Sequence, residues 1–456
     1  MAARIFITCW LLYTLHWAPW IVREHFPAVT LAESGTLNVA RFLGWTIDIF
    51  PLPGGRAYIN NNPGASVLAA VPLTFARPLL HRAAAASLPA PASVDAEDTV
   101  LRGAVRDGLL PYMLAAAFLS LAFLSAPLSA LAAALLFSRL QDLGIPQTRA
   151  ALTAFAYAFA TPVFFRTSYL NHNLLVCHFG LIAFLLLWQR PLTTPRLLAA
   201  GALAGYTVFC DFTGALTVAA LGCFLLRRGW RPALLFSAAA LPGLLALVFT
   251  QWSIFGNPLL PSQHYMTPID ITAQGYRGFS WPSPTLLWAL LFRPTFGLFA
   301  WCPLLLLAFA APFVKRVPHR APPELQSLIF GFFAASLLFS SCNQYTWLQW
   351  NTGLRYLVPV IPGLLLLALQ TLQAFPRWLA ALLLASSFLM SWSVAMTYRL
   401  HAFDSVLLVF THGPALPWLT VLRRYGWITP GHWTNWLPLS AALLLFVWLP
   451  RLRKIT

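Results

Sequence analysis

The chain has 456 residues, 59% of them hydrophobic and only 9% charged, with a mean hydropathy of +0.71. A soluble protein of this length needs far more charge to cover its surface, and no stretch is polar enough to form even one soluble domain. The net charge of +17 does not indicate nucleic acid, because the basic residues are scattered in ones, twos and threes between apolar runs, as orienting charges are in a membrane protein.

Apolar runs of about 18 residues cross the ~30 Å hydrocarbon core as helices, and nothing alternates as a membrane β-barrel requires. Spans are predicted at 4–22, 108–137, 148–166, 172–188, 197–210, 212–226, 232–252, 287–313, 325–342, 354–372, 377–397 and 435–450. The expected fold is an all-α polytopic bundle of about twelve transmembrane helices. The first run, Ile5 to Val22, has no small-residue cleavage site and reads as a retained helix. The 197–226 stretch is split at Asp211, because a carboxylate costs less at an interfacial turn than at mid-membrane.

Short basic connections mark the cytoplasmic side: Arg139 and Arg149; Arg190 and Arg196; Arg227, Arg228 and Arg231; Lys315, Arg316 and Arg320; Arg377; and the tail Arg451, Arg453 and Lys454. They alternate correctly from residue 139 onward and place both termini inside. Counting 66–82 as a span would break that parity. It is short, Arg77, Pro78, His81 and Arg82 crowd its end, and the loop after it carries Asp95, Glu97, Asp98 and Asp107. It therefore reads as a helix on the outer interface, and 23–107 becomes one long first outer loop with juxtamembrane helices. The other outer segments are 167–171, 253–286, 343–353 and 398–434. The whole chain, 1–456, reads as one domain: 1–252 carries the first outer loop, and 253–456 supplies the C-terminal helices.

Six cysteines (Cys9, Cys177, Cys210, Cys223, Cys302, Cys342) lie in or beside apolar runs without a CxxC pair, as buried inert thiols do. The nineteen Trp suit interfacial belts.

The candidate chemistry sits in the outer loops. Glu33 and Asp48 are carboxylates near a membrane surface, where a general base for a hydroxyl could be held. Each also has a plain structural reading. Thr30 and Glu33 have the spacing of a capping box, and Asp48 could bond loop backbone. Arg355, followed by Tyr356, stands where an outer loop enters a span; it can clamp a phosphate bidentately or stack on an aromatic ring. Asn171 and His172 occupy a tight outer turn, to which both residue types are suited. His172 and His178, six apart, make a poor metal pair. His264 lies in the 253–286 segment. No HExxH, nucleophile elbow or Gly-rich phosphate loop is present.

Glu33, Gly44-Trp45, Gly55-Arg56-Ala57-Tyr58 and Asn62-Pro63-Gly64, in that order, resemble the first outer loop of the GT-C membrane glycosyltransferases. The similar branch is the bacterial one, with the aminoarabinose-lipid A transferases and protein O-mannosyltransferase-like enzymes. Thr161-Pro162 through His172, Phe255-Gly256-Asn257-Pro258, Arg293-Pro294-Thr295-Phe296-Gly297-Leu298 with Cys302-Pro303, and Gly353-Leu354-Arg355-Tyr356-Leu357 with Pro359 extend it over about residues 5–370. Glu33 stands where the family commonly has Asp, and Leu354 where it has Pro.

The resemblance implies an inverting glycosyltransferase in a bacterial-type inner (plasma) membrane, with its active face extracytoplasmic. The donor would be a polyprenyl-phosphate-linked sugar, and the acceptor hydroxyl would belong to a lipid, glycan or protein. Glu33 would be the base, with Asp48 assisting. Arg355 would neutralise the leaving lipid phosphate, and Tyr58, Asn62, Asn171, His172, His264 and Tyr356 would line the substrate site. A divalent cation is left open as a cofactor; nucleic acid is not expected. The competing readings are a lipid or sugar transporter, against which the lack of repeated halves counts, and a binder of lipid-linked sugar that does not transfer it.

Overall fold

The computed structural model describes residues 1–86, 98–188, 191–266, 274–315, 317–397 and 401–428, with the single positions 91, 270 and 440. The predicted span 435–450, the basic tail, and Arg190, Arg316, Asp95 and Glu97 lie outside the described residues. Among the described residues the protein is 71% helical with almost no strand, and its apolar helices make it a membrane-embedded protein.

Chain order begins with α1 (Ala2–Leu15), α2 (His25–Ser34), a hairpin of β1 (Ile49–Leu52) and β2 (Arg56–Ile59), α3 (Gly64–Phe75), α4 (Arg77–Ala85) and α5 (Thr99–Arg106). The first span is shorter than expected: α1 ends at Leu15, four residues before Pro19. The 66–82 stretch, expected as a helix on the outer interface, divides into α3 and α4 around Ala76. The 12 residues of α3 rise about 18 Å, well short of the hydrocarbon thickness. The Thr30–Glu33 capping box does not form. The helix already starts at His25, so Thr30 is interior and its hydroxyl donates to the Pro27 carbonyl.

Leu110–Asp142 is a continuous 33-residue run, made of α6 (Leu110–Ser120), a π-helical turn (Leu121–Ser125) and α7 (Ala126–Asp142). The slip in hydrogen-bond register precedes Pro127, which has no N–H to donate and crowds the preceding turn. Next come α8 (Gln147–Phe159), α9 (Val163–Thr167), α10 (His172–Trp188), α11 (Thr194–Cys210), α12 (Gly214–Leu226) and α13 (Trp230–Phe255). The break between α11 and α12 falls at Asp211, where Asp211 Oδ1 accepts from Thr213 N at 2.8 Å and Thr213 Oγ1 at 2.6 Å. Close crossing of α11 and α13 depends on small residues. A Cβ on Gly205 would lie 2.1 Å from the Ala240 carbonyl oxygen, so even alanine would force these two helices apart.

Predicted span 287–313 is interrupted. It becomes α14 (Pro284–Phe292), α15 (Leu298–Trp301) and a 3-10 helix at Pro303–Ala310. Pro294 and Pro303 account for the breaks, since each disfavours helical backbone in the residue before it; Cys302 has φ −150°. The chain continues with α16 (Pro323–Cys342), α17 (Ile361–Leu372), α18 (Arg377–Thr397), α19 (Ala402–His412) and α20 (Pro417–Arg424). Among the described residues four helical runs are long and apolar enough to cross a membrane: Leu110–Asp142, Trp230–Phe255, Pro323–Cys342 and Arg377–Thr397. A fifth is counted if α19 and α20, bent by 75°, are taken as one span. None of the cysteines is in a disulfide; Cys9, Cys177, Cys210 and Cys302 are buried, whereas Cys223 is exposed rather than buried as expected.

Candidate functional site

The 23–107 segment, the turn between α11 and α12, the first turn of α10, the 259–279 segment that follows α13, and the end of α16 with the residues after it come together around a cavity of about 440 Å³. Each polar group on it is delivered by a chain interruption. Arg23 precedes α2, Asp48 precedes β1, and Asn60 and Asn61 follow β2. His172 is the first residue of α10, Asp211 ends α11, and Arg355 and Tyr356 precede the 3-10 turn that opens α17.

On one wall, Asp48 Oδ1 accepts from Asn60 Nδ2 at 2.8 Å, and Arg23 Nη1 lies 3.5 Å from the same oxygen. Arg23 Nη1 also donates to Asn60 Oδ1 at 3.1 Å. Asp48 Oδ2 has no hydrogen-bond partner among the described residues, and the side chain is 29% exposed. One carboxylate oxygen is thus anchored, and the residue lines the cavity.

Behind this wall lies a second cluster. Glu24 Oε1 accepts from His172 Nδ1 at 2.5 Å and from Asn61 Nδ2 at 2.9 Å. His172 Nε2 is 3.3 Å from Asp211 Oδ2. Burial pushes the Glu24 carboxyl up, but the hydrogen bond and charge of His172, with Arg23, outweigh it and hold the group down at about 2. Asp211 is also held below the usual carboxylate range: burial raises it, and His172 and Thr213 more than offset that. With an acceptor on each ring nitrogen, both nitrogens must donate, so His172 is the imidazolium.

The cavity lining also includes Arg277 and Arg355. Arg277 Nη1 donates to the His264 carbonyl at 2.9 Å. The Arg355 guanidinium lies 5.1 Å over the Tyr356 ring, and its buried Nε has no acceptor among the described residues. The backbone here is held firmly. Gln349 Oε1 accepts from both Arg355 N and Tyr356 N, at 2.8 and 2.9 Å. Arg166, fully buried, donates to the carbonyls of Thr352, Gly353 and Leu354 and to Tyr169 Oη.

Of the residues singled out in the sequence, Asp48, His172, His264, Arg355 and Tyr356 line this cavity. Tyr58 and Asn62 line a neighbouring cavity of about 30 Å³, which Asn61 also borders. Asn171 is buried, and its Oδ1 accepts from Leu174 N in the first turn of α10. Glu33 does not line either cavity. It sits at the far end of α2, accepting from Tyr112 Oη at 2.8 Å and lying 3.1 Å from His81 Nε2. Burial raises its carboxyl, but bonds to His81 and Tyr112 leave it below the usual range, the opposite of what a base tuned toward neutrality requires. Gly44-Trp45 serves the packing of the same segment: Trp45 is fully buried and donates to Asp107 Oδ2 at 2.7 Å.

Arg23, Glu24, Asn60, Asn61 and Arg166 were not apparent as site residues in the sequence. The adjacent charges Arg23-Glu24, directly after an apolar run, were the available signal. Among the described residues no group of three or more His, Cys, Asp and Glu side chains is arranged to hold a metal ion. Glu24 Oε1, Asp48 Oδ1 and both Asp211 carboxylate oxygens are already engaged by His172, Arg23, Asn60, Asn61 and Thr213. No protein-family model, curated protein or solved structure matches the chain.

Proposed function

We propose that the protein is a membrane glycosyltransferase, moving a sugar from a polyprenyl-phosphate donor to an acceptor hydroxyl at this cavity. One observation carries the reading: Asp48, a carboxylate anchored through Oδ1, shares one cavity with Arg355, whose buried Nε has no acceptor among the described residues. A base and an anion seat sharing one chamber are what displacement of a phosphate from an anomeric carbon needs.

In this reading Asp48 Oδ2 takes the acceptor's hydroxyl proton. The acceptor oxygen bonds to the anomeric carbon, and the carbon–oxygen bond to the lipid phosphate breaks on the opposite face, so configuration inverts. The electron pair leaves with the phosphate, whose charge Arg355 and Arg277 neutralise. Asn60 and Arg23 fix the base's orientation, which preserves its geometry through the reaction. Asp48 replaces Glu33 as the base in this proposal because it lines the chamber that contains Arg355.

The accompanying topology is a bundle of about twelve spans in a bacterial-type plasma membrane, both termini cytoplasmic and the cavity extracytoplasmic. Support comes from the alternation of basic loops and from the cavity's assembly out of outer segments and the outer ends of the spans that adjoin them. The test is transfer from a labelled polyprenyl-phosphate sugar by purified protein in lipid. Asp48→Asn is expected to lose at least ~100-fold in rate with donor binding retained. Unimpaired transfer by Asp48→Asn would remove Asp48 from the reaction.

A further inference from the structure

Two of the site's carboxylates face each other across a single imidazole. Glu24 Oε1 lies 2.5 Å from one ring nitrogen of His172 and Asp211 Oδ2 lies 3.3 Å from the other. Paired carboxylates in a buried position need a positive charge between them, and a hard divalent ion with oxygen ligands is one common solution. We propose that His172 is a resident cation. It stands where a divalent ion would otherwise bridge Glu24 and Asp211, and it makes this cavity independent of divalent metal.

Several features support it. The side chains of Glu24 and His172 are each 6% exposed, so the imidazole is not a surface group that swings aside for an incoming ion. Its backbone is the first residue of α10, which fixes where the ring emerges. Asp211 is pinned from its other oxygen by Thr213 N and Oγ1. Glu24 is further engaged by Asn61 and approached by Arg23 Nε at 3.8 Å. The cavity wall adds Arg277 and Arg355 to Arg23 and His172 against Asp48 and Asp211, a surplus of positive charge that repels a dication and attracts an anion. A tethered cation supplies the bridge without a binding equilibrium and leaves that surplus for an anionic ligand.

The inference deepens the reading of the cavity given above and rests on the same carboxylates. Its readout is metal binding, however, so either can fail without the other. The probe is Mn²⁺, followed by its EPR signal and by thermal unfolding of the full chain in detergent. The unaltered protein should bind no Mn²⁺ up to about 1 mM, and EDTA should not move its unfolding midpoint. His172→Ala should have a lower midpoint, gain Mn²⁺ affinity by at least about tenfold, and recover its midpoint when Mn²⁺ is added. That rescue should vanish when Glu24→Gln is combined with it. Tight Mn²⁺ binding by the unaltered protein, abolished by Glu24→Gln, overturns the proposal. So does a folded His172→Ala protein that gains no affinity. The first arm needs no substitution at His172 and decides the matter even where His172→Ala does not fold.

Discussion

Glu24 Oε1 and His172 Nδ1 are 2.5 Å apart although 148 residues separate them in the chain. This contact ties the start of the 23–107 segment to the first turn of α10, and it has a consequence in acid. Glu24 is held at about 2 against a usual 4.5. A carboxyl depressed in the folded state contributes stability that is fully present above its unfolded value and is lost as pH falls through the folded one. Unfolding midpoints measured in detergent should therefore drop between pH 4.5 and 2. Glu24→Gln should flatten the profile there and cost roughly 3 kcal/mol near neutrality, because it leaves the buried imidazolium short of a partner. An unchanged acid profile in Glu24→Gln would contradict this assignment.

Glu33 offers a contrast. Its bonds to Tyr112 and His81 join α2 to α6 and α4 at a distance from the chamber walls. Glu33→Gln should lower the unfolding midpoint slightly and leave sugar transfer within about threefold of the parent. Transfer reduced a hundredfold in a well-folded Glu33→Gln protein would return that residue to the chemistry.

The Arg355 guanidinium is the anion seat of the proposed reaction. Arg355→Ala should weaken binding of a polyprenyl phosphate by about 10- to 100-fold, the range for a lost charge-assisted hydrogen bond. Arg355→Lys should recover part of it, since charge returns without the planar fork. Equal affinity in all three proteins, read by equilibrium binding of a labelled lipid phosphate, would mark Arg355 as a packing residue stacked on Tyr356.

Placement of Arg355 depends on the turn before it. Gly353 has φ +71°, and a Cβ there would lie 2.5 Å from the Trp301 ring. Arg166 satisfies three consecutive carbonyls of the same turn. Gly353→Ala and Arg166→Ala should each destabilise the fold, the latter by about 3 kcal/mol or more as buried carbonyls lose their donor. Both should also weaken lipid-phosphate binding while leaving the Arg355 side chain in place. Unchanged binding in a folded Arg166→Ala protein would show that the turn holds its shape without the guanidinium.

Composition and apolar run length are local properties, and they were sufficient for the membrane-embedded, helical character of the chain. They also located the Asp211 break, because the cost of burying a carboxylate mid-span is legible wherever the residue falls. Pro19, Pro294 and Pro303 were equally visible, yet their effect in shortening or dividing predicted spans was hidden by averaging hydropathy over long windows. The Asp48 and Arg355 side chains could be singled out by type and loop position. Their sharing of one chamber could not, since it arises from packing among segments hundreds of residues apart. The same reason sets Glu33 and Glu24 apart. Nine positions distant on one short segment, both are acids with ordinary local surroundings. Only the tertiary structure turns one toward Tyr112 and His81 and buries the other against His172, because a carboxylate's chemistry is decided by which charges and donors the rest of the fold brings to it.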